Sequence, residues 1–350
     1  IVCRLPGERL GYFGWPTVAR LEDGRLVVAS SGLRTEHVCP WGKTVLNFSD
    51  DDGRTWSPPQ VIQDSAIDDR DAGVIGLGSD RLLVSWFRSD TRQYAGASWI
   101  PEAERAKWHE VLATWTDEMV KGLLGSWILR SEDGGSTWGE PIRVPVSTPH
   151  GPIRLRSGDL LYLGKEYGYP AEKVRGMIAT CRSRDDGLTW ERLGTVPVCP
   201  ATDPVNYHEP HVLELPSGRL LGIIRIQDHS GKTLAAAGIP HFSMMQTESD
   251  DGGVTWTQAR PLGFPGSPPH LLRHSSGVVV LTYGYRLAPF GQRAALSYDD
   301  GVTWEHDWII RDDGPDSDLG YPSTVEMADG SLFTVAYQKV PGDRKCSLLW

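Results

Sequence analysis

Residues able to exchange protons recur in this chain at matched places. Asp71 follows Arg70, His150 precedes Gly151, Glu209 stands between His208 and His211, His270 follows two prolines, and Tyr321 precedes Pro322. Trp15 occupies the corresponding place near the start of the chain. Carboxylates and imidazoles are the usual groups for moving protons near neutral pH. A structural position repeated this often would carry small or apolar residues. This bias toward Asp, Glu, Tyr and His points to one shared pocket that acts on or holds a polar ligand. The cysteines, at 3, 39, 181, 199 and 346, are scattered and show no CxxC spacing. They suggest neither a metal site nor a disulfide framework, and no cofactor is expected.

The elements that must position these residues are repeats. The pattern Ser-x-Asp-x-Gly-x-Thr-Trp occurs as SDDDGRTW (49–56), SEDGGSTW (131–138), SRDDGLTW (183–190), SDDGGVTW (249–256) and SYDDGVTW (297–304). It reads as a hairpin turn in which Ser and Asp bond the backbone, Gly takes positive φ, and Trp packs the turn onto the sheet. The acidic residues are part of this packing motif and do not form a calcium cage. A weaker repeat, an apolar strand, a Gly-containing turn and a second apolar strand, has six copies. They are WPTVARLEDGRLVVAS (15–30), DAGVIGLGSDRLLVSW (71–86), GPIRLRSGDLLYLG (151–164), EPHVLELPSGRLLGIIR (209–225), PPHLLRHSSGVVVLTYG (268–284) and YPSTVEMADGSLFTVAY (321–337). Six units of about four strands predict an all-β, six-bladed propeller, one domain over 1–350. The sixth unit lacks the turn motif, so residues near the N-terminus are expected to complete its sheet. The polar residues above then open the innermost strands around one mouth. PEAERAKWHEVLATWTDEMV (101–120) breaks the alternation and is predicted to be a helix inserted in blade two, either packed on the surface or partly covering the pocket.

Bulk properties narrow the partners. The net charge of −10 argues against nucleic acid and anionic membrane surfaces, and an acidic ligand would need a local basic pocket. No apolar stretch is long enough for a transmembrane helix, so no membrane insertion is expected. The segment from Ile1 has neither Met nor a signal-peptide pattern, which leads to the expectation of a soluble bacterial protein with an upstream segment missing.

Five Ser-x-Asp-x-Gly-x-Thr-Trp boxes on a six-fold strand repeat resemble the sialidase (neuraminidase) superfamily, and the resemblance covers nearly the whole chain. It implies an exo-acting glycoside hydrolase that removes a terminal sialic acid or related acidic sugar from a glycan. In that pattern Tyr321 is the nucleophile, Glu209 its base, and Arg225 one arginine of a carboxylate-binding triad. A tyrosine with a pKa of about 10 needs such a base. A neutral nucleophile also suits a substrate whose anomeric carbon bears a carboxylate. Arg286 or Arg293 would supply another arginine; Arg286 is preferred because, like Arg225, it ends a second strand. The Arg-Ile-Pro motif of sialidases is replaced by Phe13-Gly14-Trp15-Pro16. That replacement puts sialic acid itself in question and offers Trp15 as a platform for a sugar ring. The loop LRTEHVCPWGK (33–43), where sialidases keep their catalytic Asp, has none; it offers Glu36, His37 and Lys43. Asp71, with Glu36 second, is the candidate acid. Arg70, His150, His211 and His270 are expected to contact the sugar. The alternatives are a glycosidase or uronate lyase for another sugar, and a carbohydrate-binding propeller without turnover.

Overall fold

A computed structural model of the protein describes residues 1–166, 176–228 and 233–350. Its strands form six antiparallel sheets, the blades of a β-propeller. From axis to rim, blade one contains Tyr12–Arg20, Leu26–Arg34, Lys43–Ser49 and Gln60–Gln63. Blade two contains Asp68–Gly78, Arg81–Ser89, Gly125–Ser131 and Ile142–Val144. Blade three contains Ile153–Arg154, Leu160–Glu166, Ile178–Ser183 and Glu191–Thr195, with Val146–Ser147 also paired to its second strand. Blade four contains Tyr207–Glu214, Leu220–Ile226, Ser243–Ser249 and Arg260–Pro265. Blade five contains Pro269–Arg273, Val279–Tyr285, Phe290–Ser297 and Glu305–Gly314. Blade six has three strands, Gly320–Glu326, Leu332–Lys339 and Cys346–Leu349. The N-terminal segment completes it: Val2 N donates to Leu348 O (2.9 Å) and Leu348 N donates to Cys3 O (2.9 Å).

The second strand of a blade is covered on both faces by neighbouring blades, so it loses the in–out alternation of a one-sided sheet. Leu220–Ile226 is buried at every residue. The core therefore lies between blades. Val27 and Leu46 of blade one meet Val74, Leu82 and Val84 of blade two, and Leu221 and Ile223 of blade four meet Leu271, Val279 and Leu281 of blade five.

Each of the five turn motifs joins the third and fourth strands of its blade. In the first, Gly53 N donates to Ser49 Oγ (2.9 Å), and Thr55 N and Oγ1 donate to the two Asp51 oxygens (2.8 and 2.6 Å). Gly53 sits at φ 82°, a conformation that a Cβ would strain. The same bonds recur at Asp133, Asp185, Asp251 and Asp299.

The insertion lies in blade two as expected, but as two helices, α1 (Glu102–Leu112) and α2 (Asp117–Leu123). The break occurs where Thr116 caps α2 by accepting from Met119 N (3.2 Å). Trp108 of α1 is buried against Cys39 and Ile100, so the insertion props the 33–43 loop of blade one.

Candidate active site

Four inner strands carry the same local distortion. Trp15, Asp71, Glu209 and Tyr321 adopt left-handed φ of 55°, 54°, 46° and 53°. Each lies at a break in pairing register, between Gly14 and Thr17, Arg70 and Gly73, His208 and Pro210, and Gly320 and Ser323. A bulge there turns one extra side chain toward the axis. A left-handed backbone costs a non-glycine residue roughly 1–3 kcal/mol, and such strain concentrates at functional sites. The bulges thus mark the mouth.

Two of these residues meet there, with Arg225 of the second strand of blade four. Tyr321 Oη donates to Glu209 Oε1 (2.7 Å), and Arg225 Nη1 donates to Tyr321 Oη (3.0 Å) and also to Glu209 Oε2. The other edge of Arg225 is held by Gln227. Burial, and next the Glu209 carboxylate, raise the Tyr321 pKa well above its ordinary value; Arg225 and Arg286 act against this. The resting tyrosine is therefore neutral, with a carboxylate placed to accept its proton. The Arg225 and Arg286 guanidiniums converge on one ring, 5.4 and 5.2 Å from the centre of Phe242. Arg286 also lies 5.9 Å over Tyr321. Asp71 is within the charge field of Tyr321, and its Oδ1 is buried without a hydrogen-bond partner. Burial pushes Asp71 up to about 7 against the opposing pull of Arg70.

Other expected site residues are placed differently. Trp15 is 1% exposed and cannot stack on a sugar. It lies beneath the Arg70 guanidinium (4.6 Å) and beside Arg34 (5.1 Å) and the His37 ring (4.8 Å). Where an arginine was missing from blade one, its tryptophan supports an arginine from blade two. His150, His211 and His270 do not stand level with Tyr321. They belong to the layer beneath, where His211 lies two residues past Glu209 on the same strand and the three rings pack at 4.4–5.6 Å. Leu271 N donates to His211 Nδ1 (2.9 Å) and Thr324 N to His270 Nδ1 (3.4 Å), which assigns both rings the neutral Nε2–H form. Burial lowers all three pKa values, that of His211 to about 3. They form an axial plug with no charge to offer a sugar.

Arg293 is turned into the outer hairpin, donating to the backbone oxygens of Arg311 (2.7 Å) and Pro289 (3.3 Å) and stacking on Tyr285 (4.7 Å). Arg293 belongs to the third strand of blade five, whereas Arg286, preferred for its place at the end of the second strand, is the one that lies by Tyr321. Lys43 pairs with Asp64. Glu36 has Lys345, Arg344, Lys339 and Asp318 as its charged neighbours, and burial raises its pKa.

Several residues around the mouth escaped the sequence reading. Lys165, at the end of a blade-three strand, is 3.0 Å from His208 Nδ1, and burial lowers it to about 8 against the pull of Glu209. Phe242 comes from the strand approach after the 229–232 segment. Asp318, three residues before Tyr321, binds His37 Nδ1 (2.8 Å) and Tyr12 Oη (2.9 Å). Only the density of Asp in DDGPDSDLGY marked this stretch, and acidic loops are common.

A bulged, arginine-lined mouth lies at the axis of six blades, and comparisons with known proteins agree with this architecture at the level of fold. The chain belongs to the BNR repeat-like domain family, whose model matches residues 106–334. A xyloglucanase from Acetivibrio thermocellus is 26% identical over 232 residues, which are 59% of this chain and 25% of that protein. A protein of unknown function from Dyadobacter fermentans superposes with a TM-score of 0.76 at 24% identity, covering 99% of this chain and 95% of that one. A Trypanosoma rangeli sialidase, solved with sialic acid, superposes with a TM-score of 0.63 at 19% identity, covering 96% of this chain and 53% of the sialidase. The chain thus spans a quarter of the xyloglucanase and about half of the sialidase.

Proposed function

We propose that the protein hydrolyses a terminal glycosidic bond of an acidic sugar, sialic acid or a relative, through Tyr321 as nucleophile and Glu209 as its base. The observation carrying this reading is the bonded set Tyr321–Glu209–Arg225 on bulged strands of two different blades. As Tyr321 Oη attacks the anomeric carbon, its proton passes to Glu209 along the existing hydrogen bond, and Arg225 holds the phenolate that leaves in the second step. Arg70, Arg225 and Arg286 supply the positive charge that an anionic sugar needs in a chain of net charge −10. Their Nε atoms are buried without partners. Asp71, protonated near neutral pH, donates a hydrogen bond to a substrate oxygen. A panel of aryl glycosides that includes a sialoside tests this. Turnover of an acidic member is expected, with Tyr321→Phe losing most of it while keeping the fold. A wild type inactive on the whole panel, or a fully active Tyr321→Phe, would refute it.

A further inference from the structure

The proposed reaction leaves one task unassigned, protonation of the departing oxygen. Asp71 is only 6% exposed, with its Oδ1 buried, so it is poorly placed to follow a leaving group outward. A cleft of about 380 Å³ lies on the His37 side of the mouth, lined by Glu36, His37, Val38, Tyr94, Trp99 and Asp318. One wall comes from the 33–43 loop and the other from the segment leading into the blade-two insertion. Trp99 is 47% exposed, with Tyr94 beside it at 6.2 Å between ring centres, an aromatic surface suited to the apolar face of a second sugar.

His37 stands between this cleft and the mouth. Its ring is 4.8 Å from that of Trp15, which is 6.3 Å from Tyr321. Asp318 Oδ1 accepts from His37 Nδ1 (2.8 Å), and the same carboxylate accepts from Tyr12 Oη (2.9 Å) and Tyr337 Oη (3.4 Å). Those hydrogen bonds keep Asp318 ionised, with a pKa below the ordinary carboxylate range despite its burial. An ionised acceptor at Nδ1 fixes the proton there. Nε2 is left as the exchangeable position, and it has no hydrogen bond among the described residues. The charged groups around the ring are Asp318, Arg70 and Arg286, with Glu36 adjacent on the loop. Burial of the packed part of the ring lowers the His37 pKa, and Asp318 acts against this.

We propose that His37, oriented by Asp318, is the acid–base group of the glycosidase, serving a leaving group that is the hydroxyl of a second sugar seated on Trp99. This rests on the Tyr321 reading. In the first step the protonated His37 Nε2 gives its proton to the glycosidic oxygen as the carbon–oxygen bond breaks. Tyr321 Oη bonds to the anomeric carbon, and its proton goes to Glu209. In the second, neutral His37 takes a proton from water, the water oxygen bonds to the anomeric carbon, and the Tyr321 oxygen departs and recovers its proton from Glu209. The sum is glycoside plus water giving sugar plus alcohol.

The test compares wild type with His37→Gln on two glycosides of the same acidic sugar. One carries nitrophenol, which departs without protonation, and the other a sugar alcohol. The quantity measured is kcat/KM, which reports bond cleavage and not the later attack of water. For the sugar leaving group His37→Gln should lose roughly 10²–10⁴-fold, the usual contribution of general acid catalysis. For nitrophenol it should stay within about ten-fold, which also shows that the variant is folded. Equal losses on both substrates, or no loss on either, overturn the assignment of His37 and leave the Tyr321 reading standing. A wild type inactive on both removes both.

Discussion

The histidine plug makes a prediction whose size follows from the structure. A free imidazole titrates at about 6.5, whereas His211 is pushed down to about 3. Below about pH 6.5 the unfolded chain therefore takes up a proton that the folded chain refuses. Stability is fully present above that value and is lost as the pH falls toward the folded pKa. Between about pH 7.5 and about pH 5 the loss is roughly 1.5 pK units, or about 2 kcal/mol for this one residue. Total stability would not show it cleanly, because burial raises Asp69 to about 6 and Asp71 to about 7, and these groups stabilise the fold in the opposite direction as the pH falls. His211→Asn isolates the term. The Asn Oδ1 can accept from Leu271 N as His211 Nδ1 does, and the variant cannot titrate. Its packing loss is the same at both pH values. Urea unfolding of the two proteins at both pH values should show the wild type losing about 2 kcal/mol more than the variant on acidification. Parallel losses would mean that His211 is protonated in the fold or open to water, and the neutral plug would be wrong.

Two further outcomes concern the mouth. Arg225→Ala should weaken binding of a sialic-acid-like inhibitor by at least ten-fold while leaving a neutral sugar analogue of similar size nearly unchanged, measured by calorimetric titration; a better-binding neutral analogue would remove the acidic-substrate reading. Asp71 is protonated below about pH 7, so affinity for an anionic inhibitor should fall as the pH rises through that value; Asp71→Asn should flatten this limb, and an unchanged limb would assign the transition to another group.

The fold was legible because its signals are local. Each turn box closes its own hydrogen bonds within eight residues, so five copies could be counted without knowing what they face. The hairpin repeat placed Tyr321, Glu209, Asp71 and Trp15 at equivalent positions, and the bulges confirm that equivalence. The same repeat misplaced His150 and His270 because a bulge inserts a residue without a sequence mark. Blades one, two, four and six have it at this position, and the layer assignment slips where a strand lacks it. Trp15 was misjudged for a different reason: whether an indole meets a sugar or a guanidinium depends on Arg70, from the next blade. His37 and Asp318 lie 281 positions apart and meet only when blade six closes against blade one. Strand periodicity thus identifies which strands reach the axis, while the contacts that give each residue its chemistry come from neighbouring blades. The bulged residues of the mouth are therefore readable from the sequence, whereas Lys165, Phe242 and Asp318, and the division into acid, base and clamp, come only from the closed ring.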